Sequence, residues 1–214
     1  MTEATQESAT RRAYRALERM IVTLELSPGS VTTEGALIER IGLGRTPVRE
    51  AIQRLAWEGL LEVRARAGLA VKPLHASDWV KIIDARRGVE AVLARAAARH
   101  ATRETAQRFH DALLAMRKAV VAGNVLAFLQ ADKALDEAMA DASDNPYAAM
   151  VAEPLQIHSR RFWYRYQAES GLSAAADRHM TLIKAVLEGN GDEAAAESDR
   201  LMALLRSYAE EAAR

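Results

Sequence analysis

The 214-residue chain has no cysteine, only five prolines and few aromatic residues, and these scarcities limit the folds and sites that it can form. Without cysteine, disulfide bonds and thiolate metal sites are excluded. Rare proline together with abundant alanine favours helices. No run approaches the ~20 apolar residues that a membrane-spanning helix needs, and the polar N-terminus lacks the apolar segment of a secretory signal. We therefore expect a mainly helical, cytoplasmic protein with no membrane partner.

The formal net charge is zero, yet positive charge is concentrated within residues 40–72. That segment contains three acidic residues and seven basic ones, which are Arg40, Arg45, Arg49, Arg54, Arg64, Arg66 and Lys72. Clustered arginine and lysine side chains neutralise phosphate charges. The N-terminal third of the chain is therefore where a nucleic-acid contact is expected.

Two short helices are predicted at the start of this N-terminal part. Apolar residues at helical spacing predict the first over residues 12–25, and Ser27-Pro28-Gly29 is expected to end it. Thr33 is expected to cap the second helix, which extends to about Ile41. Glu34 lies in its first turn, where the helix dipole favours a negative charge.

A third helix, after the Gly42-Leu43-Gly44 turn, has the features of a recognition helix. Thr46 is expected to cap it, with Pro47 at the first helical position. Its N-terminal end presents Arg45, Thr46 and Arg49, and Gln53 lies one turn after Arg49 on the same side. Arginine side chains and backbone N–H groups placed in this way donate to phosphates and to guanine in the major groove.

Residues 60–73 are predicted to form a β-hairpin after the third helix. Two short strands flank a turn at Ala67-Gly68, and Arg64 and Arg66 lie on the first strand. Basic residues on such a hairpin form a wing against the DNA backbone. The alternative is a small helical domain with a solvated basic face, but the order of helices, glycine turn, capped helix and basic hairpin favours DNA binding.

The rest of the chain is helical, with breaks at glycine, asparagine and proline. These breaks predict six helices, over residues 78–99, 103–121, 124–142, 146–169, 173–188 and 192–212. Their lengths and short loops suit an antiparallel bundle. The fold class is therefore mainly α, with a winged helix-turn-helix domain over residues 1–72 and an all-α helical bundle over residues 73–214.

Three polar side chains are predicted to point into the core of this bundle. At about 100° per residue, Asp132 and Asp136 fall within the apolar arc of their helix, and His179 within that of another. Two carboxylates four residues apart in one core need a cation, a proton or an arginine between them. A divalent metal ion, protonation of Asp136, or pairing of Asp136 with Arg86 or Arg87 would meet this need.

Residues 12–73 resemble the DNA-binding domain of the GntR family of bacterial regulators. The resemblance rests on LSPGS (26–30), GRTPVREAIQRLAWEGLLE (44–62) and Gly68 followed by Val71. It implies DNA contacts at four positions, which are Arg45, Thr46, Arg49 and Gly68. Glu34 is adjacent to them. Gly35 stands where many members have a DNA-contacting arginine, and Gly44 where Ser or Thr is usual. The operator sequences of other family members therefore cannot be assumed for this chain.

Residues 73–214 resemble the FCD ligand-binding domain, which defines one GntR subfamily. The matching residues are Arg86, Val89, Glu90, Asp132, Asn145-Pro146, His179 and Gly191-Asp192. Members commonly bind a metal ion through one Asp and three His, and the ion then holds a carboxylate effector. Here Asp136 replaces one histidine, and the last ligand position falls near the apolar Leu201 or Met202.

The resemblance leaves two ways of holding an effector open. A metal site would consist of Asp132, Asp136 and His179, and with water these suit an oxygen-rich octahedral ion better than a tetrahedral zinc ion. Without a metal, arginines would hold the effector. Those arginines are Arg86, by its family position, and Arg160 or Arg161 in the fourth bundle helix.

The implied function is that of a homodimeric, non-enzymatic transcriptional regulator that binds palindromic double-stranded operator DNA. A small organic acid effector is expected to relieve repression. Two alternatives stay open: a metal-dependent helical-bundle enzyme with an appended DNA-binding domain, and an architectural DNA-binding dimer without an effector. No combination of serine, histidine and acid stands out as catalytic, and the partial metal cluster identifies no general base.

Overall fold

A computed structural model describes residues 7–65, 68–166 and 171–214 of the chain. The chain forms two compact units, Met1–Leu74 and His75–Arg214. None of the described helices is long and apolar enough to cross a membrane.

The first unit is a winged helix-turn-helix. Its elements are α1 (Ala9–Val22), β1 (Val31–Thr32), α2 (Glu34–Ile41), α3 (Arg45–Trp57), β2 (Leu61–Arg64) and β3 (Gly68–Val71). Helix α1 packs on α3, and the strands form an antiparallel sheet in the order β1-β3-β2. The core contains fully buried side chains from all three helices, among them Leu17, Ile21, Leu37 and Leu55.

The predicted bounds of two helices in this unit are wrong. Helix α1 begins three residues before its predicted start. It also ends three residues early, because Thr23 is its C-cap and Leu24 adopts a left-handed φ of 61°. Helix α3 begins at Arg45, so Gly44 is the N-cap in place of Thr46, and no side chain caps the helix. The backbone carbonyl of Gly44 accepts from the N–H of Val48 at 3.4 Å, and the helix starts two residues earlier than predicted.

Strand β1 was not predicted at all. It consists of two residues, with Val31 opposite Ala70 and Thr32 opposite Leu69. The β-branched run Val31-Thr32-Thr33 is the local signal for it. A two-residue strand depends on its partner strand, so that signal is too short to decide the structure alone.

Gly68 is the point where the wing approaches β1 most closely. Its φ is 89°, and a Cβ added there would lie 2.5 Å from the carbonyl oxygen of Thr32. An L-residue would therefore meet both backbone strain and a clash with backbone. This explains physically why a glycine stands at the position that the family resemblance singled out.

Replacing Gly68 by alanine is expected to destabilise the first unit by about 1–3 kcal/mol, because strain and steric overlap act together. Calorimetric unfolding of the full chain measures the effect. Gly35→Ala is the matched control, since an added Cβ there has only Thr33 Oγ1 nearby, at 3.9 Å. If both variants unfold at the wild-type temperature, the structural role given to Gly68 is wrong.

The second unit is a bundle of six helices within the described residues. They are α4 (Ala76–His100), α5 (Arg103–Val121), α6 (Val125–Ser143), α7 (Pro146–Tyr166), α8 (Gly171–Leu187) and α9 (Gly191–Ala212). Helix α4 contacts α6, α7, α8 and α9, so it forms the centre of the bundle. The predicted helices match these bounds within two residues, apart from the end of α7, where residues 167–169 lie outside the described part.

Candidate DNA interface and effector site

The exposed face of α3 carries the side chains predicted to contact DNA. Val48, Ile52 and Leu55 are buried against the rest of the unit, which fixes the orientation of the helix. Arg45, Thr46, Arg49 and Gln53 are exposed. The side chains of Arg45 and Arg49 are 75% and 55% exposed, so both are accessible to a DNA duplex.

Glu34 holds the Arg49 guanidinium through two hydrogen bonds. Arg49 Nε donates to Glu34 Oε2 at 3.1 Å and Arg49 Nη2 donates to Oε1 at 3.0 Å. Arg45 Nε lies 3.8 Å from the same carboxylate. These hydrogen bonds, together with the charge of Arg49, lower the pKa of Glu34. Because a carboxylate repels phosphate, we do not expect Glu34 to contact the DNA backbone itself. Its hydrogen bonds instead orient the Arg49 side chain.

The wing supplies a second basic group. Arg64 lies on β2, and its Nη2 donates to Glu62 Oε2 at 3.1 Å. Its side chain is 48% exposed, so it can exchange this partner for a phosphate. Arg66, predicted as a DNA contact, lies outside the described residues.

The predicted polar cluster of the second unit exists, and it is built around His179. His179 Nδ1 lies 2.7 Å from the carbonyl oxygen of Ala175, and Nε2 lies 3.1 Å from Asp132 Oδ1. Burial alone would lower the pKa of His179, but the hydrogen bond and charge of Asp132 outweigh it and raise that pKa. Both ring nitrogens therefore face acceptors, as an imidazolium requires.

Arg160, from α7, lies between the two carboxylates of α6. Its Nη1 is 2.6 Å from Asp136 Oδ2 and 3.5 Å from Asp132 Oδ2. All three side chains are at most 15% exposed. Burial raises the pKa of Asp132, but His179, Arg160 and Arg86 outweigh it and lower the value to about 2. Burial and the charge of Asp132 raise the pKa of Asp136 to about 7, against the opposing charge of Arg160.

Arg86, the effector-binding residue implied by family position, is held by a neighbour on its own helix. Its Nε and Nη2 donate to Glu90 Oε1 at 2.9 and 2.7 Å, and Gln156 Nε2 donates to the same oxygen at 3.1 Å. Arg161 is 1% exposed, and this burial lowers its pKa to about 10. Arg161 is not among the described residues lining the two spaces that adjoin the cluster.

These two spaces lie on either side of Arg160. The first is a small, partly open cavity of about 20 Å³, room for about one water molecule, lined by Arg86, Phe128, Leu129, Asp132, Ser159, Arg160, Trp163, Ala175, His179 and Leu205. The second is an open groove of about 530 Å³ along α6 and α7, lined by Asp136, Gln156 and Arg160 among others. Arg160 lines both, whereas Asp132 lines the cavity and Asp136 the groove.

The predicted divalent ion does not fit this arrangement. The 3.1 Å between His179 Nε2 and Asp132 Oδ1 would suit two ligands of one ion. However, Asp136 is engaged by Arg160, and a guanidinium 3.5 Å from Asp132 would repel a dication. Among the described residues, no three His, Asp or Glu side chains are grouped to hold a metal ion.

The alternative pairing expected for Asp136 also needs correction. Arg86 pairs with Glu90, and the exposed Arg87 pairs with Asp199 on α9, whose Oδ2 accepts from Arg87 Nη2 at 2.7 Å. The partner of Asp136 is Arg160, one helix further along the chain. The spacing within α6 predicted that a cation was needed, but it did not identify the helix that supplies it.

A winged helix-turn-helix with exposed arginines, followed by a helical unit, is the arrangement of a DNA-binding transcriptional regulator. Residues 9–71 match the sequence model "Bacterial regulatory proteins, gntR family", and residues 81–204 match the FCD domain model. The chain therefore belongs to the GntR family of bacterial transcriptional regulators and carries an FCD domain, which confirms the resemblance and the predicted fold class.

Two curated relatives span most of the chain. It is 25% identical over 193 residues to the "Probable D-xylose utilization operon transcriptional repressor" of Paenarthrobacter nicotinovorans, covering 88% of this chain and 85% of that protein. It is 26% identical over 197 residues to the "HTH-type transcriptional repressor RspR" of Escherichia coli, covering 90% and 86%. The solved structure of E. coli McbR/YncC has a TM-score of 0.82 at 18% identity, covering 96% and 99%, and shows the same fold.

Proposed function

We propose that this regulator is a homodimeric repressor whose operator affinity is lowered by a small carboxylate effector bound in the second unit. The observation that carries the proposal is the buried cluster of Arg86, Arg160 and His179 beside a small cavity. Each of these cations is paired with a carboxylate of the protein, Glu90, Asp136 or Asp132, so an effector carboxylate would compete for donors that already bind this group. We expect the effector to change operator affinity and to be recovered unchanged.

The repressor role is supported by relatives that match most of the chain. Both proteins compared above carry the word repressor in their names. Operator binding would depend on Arg45, Thr46, Arg49 and Gln53 in the major groove and Arg64 on the backbone. Two copies would bind a palindrome, because a two-fold protein matches a two-fold site.

The small size of the cavity restricts how an effector can enter it. About 20 Å³ holds no more than a water molecule, so a carboxylate of several carbons must open the space to enter. Binding and a change in the packing of α6, α7 and α8 would then be linked. Such a linkage is what couples an effector site to operator affinity, and the coupling is reciprocal.

Purified chain tests the proposal in two steps. An operator is first selected from random duplexes, and acids of two to six carbons are screened for a rise in melting temperature. Operator titrations at fixed salt then follow each acid that binds. We expect at least a fivefold rise in operator Kd with an acid that binds, and the acid recovered unchanged. Acids that bind without changing operator Kd, or that are turned over, would contradict the proposal.

A further inference from the structure

The geometry points to Arg160 as the cation that takes the place of a metal ion in the second unit. Without an effector, Asp136 occupies the position on Arg160 that the effector carboxylate takes. This inference rests on the effector role proposed above and adds how the effector is held. It follows from three observations: the position of the Arg160 guanidinium, the location of the Arg160–Asp136 ion pair, and a buried N–H donor on Trp163.

The first observation is the position of the guanidinium. Arg160 Nη1 contacts both Asp136, at 2.6 Å, and Asp132, at 3.5 Å. The predicted metal ion would have neutralised this same pair of carboxylates, for which a proton or an arginine was the alternative. A fixed positive charge from α7 already neutralises the pair, and a second cation there would be repelled.

The second observation is that the Arg160–Asp136 ion pair lies between the groove and the cavity. Arg160 lines both spaces, and Asp136 lines the groove of about 530 Å³. A carboxylate arriving through the groove therefore meets Arg160 on the side where Asp136 is bound. Because both are carboxylates, an effector can exchange with Asp136 on the guanidinium with no change in the chemistry of the contact.

The third observation is an unused donor on the cavity wall. Trp163 is 4% exposed and lines the cavity, and its Nε1 has no hydrogen-bond partner within the described ranges. A buried indole N–H without an acceptor costs free energy, so a bound oxygen-rich ligand would be favoured. With Arg160, it provides donors of the kind that a carboxylate with a nearby hydroxyl or second carboxylate requires.

The test removes the built-in carboxylate and supplies it from solution. Asp136→Ala leaves a carboxylate-sized space beside Arg160, so acetate should bind there. We expect 100 mM acetate to raise the melting temperature of Asp136→Ala by about 4 °C relative to chloride at equal ionic strength, with EDTA present. The wild-type chain should shift by less than 1 °C.

Two further variants make the result specific. The double variant Asp136→Ala, Arg160→Gln should lose the acetate shift. Asp141→Ala, which removes an exposed carboxylate from the same groove, should show none. Should Asp136→Ala fail to fold, Asp136→Ser opens nearly the same space. An acetate shift that survives Arg160→Gln, or no shift in any Asp136 variant, would overturn the inference.

Metal titration completes the test. Mn²⁺, Zn²⁺ and Ca²⁺ should leave the melting temperature of the wild-type chain unchanged. A metal-induced rise that His179→Ala abolishes would restore the metal site and overturn the inference. Failure of the proposed function looks different: acetate would bind beside Arg160 as expected, while no acid that binds the wild-type chain would change operator Kd.

Discussion

Replacement of Arg49 by alanine is expected to raise operator Kd at least about tenfold at fixed salt, because a base contact of this kind contributes about 1–3 kcal/mol in each half-site. Arg49 is 55% exposed and packs in no core, so its loss should leave the melting temperature almost unchanged. Operator titration with a selected duplex measures the effect, and titration with a scrambled duplex reports specificity.

Arg19→Ala provides a matched control for Arg49→Ala. Arg19 is also an exposed arginine paired with a glutamate, Glu25, but it lies on α1. Its substitution removes the same charge from the first unit without touching α3, and operator Kd should change less than threefold. Equal losses from the two variants would mean that net charge alone determines affinity. Unchanged affinity of Arg49→Ala would reject α3 as the recognition helix.

Replacement of Asp132 by alanine is expected to destabilise the second unit by about 3 kcal/mol, which corresponds to a melting temperature lower by roughly 10 °C. The carboxylate lies against His179 and Arg160, and Arg86 lines the same cavity. Removing it leaves buried positive charges with less compensation. Breaking a buried charge pair in this way costs more than the intact pair contributes.

Calorimetry of three variants tests this expectation. Asp132→Asn keeps the size of the side chain and removes its charge, so it separates electrostatics from packing. Asp141→Ala removes a carboxylate that is 62% exposed and paired with Arg108, and should cost less than 1 kcal/mol. If Asp132→Ala melts within 2 °C of the wild-type chain, the cluster does not stabilise the bundle as described.

The bundle helices could be predicted from the sequence because their signals are local. Apolar periodicity fixes which residues are helical, and residues such as Thr102, Asn124 and Asn190 fix where helices start through side-chain caps. The start of α3 was misplaced for the opposite reason. Gly44 has no side chain with which to cap, so the sequence favoured the capping residue Thr46, two residues after the observed N-cap.

For the polar cluster of the second unit, the sequence predicted only that its two carboxylates need to be neutralised. The spacing of Asp132 and Asp136 on α6 showed that two carboxylates share one buried face. Which group neutralises them depends on how α6 and α7 pack, and no local pattern encodes that contact. The same applies to β1, whose two residues become a strand only because β3 lies beside them. The sequence placed Glu34 in the first turn of α2, but its two hydrogen bonds to Arg49 became visible only in the structure.

The central claim is that a carboxylate held by Arg160 controls operator binding by the first unit. The most direct measurement is the operator Kd of the wild-type chain and of Arg160→Gln, each with and without an acid shown to raise the wild-type melting temperature. We expect at least a fivefold rise in Kd for the wild-type chain and none for Arg160→Gln. An equal rise in both, or no rise in the wild-type chain, would contradict it.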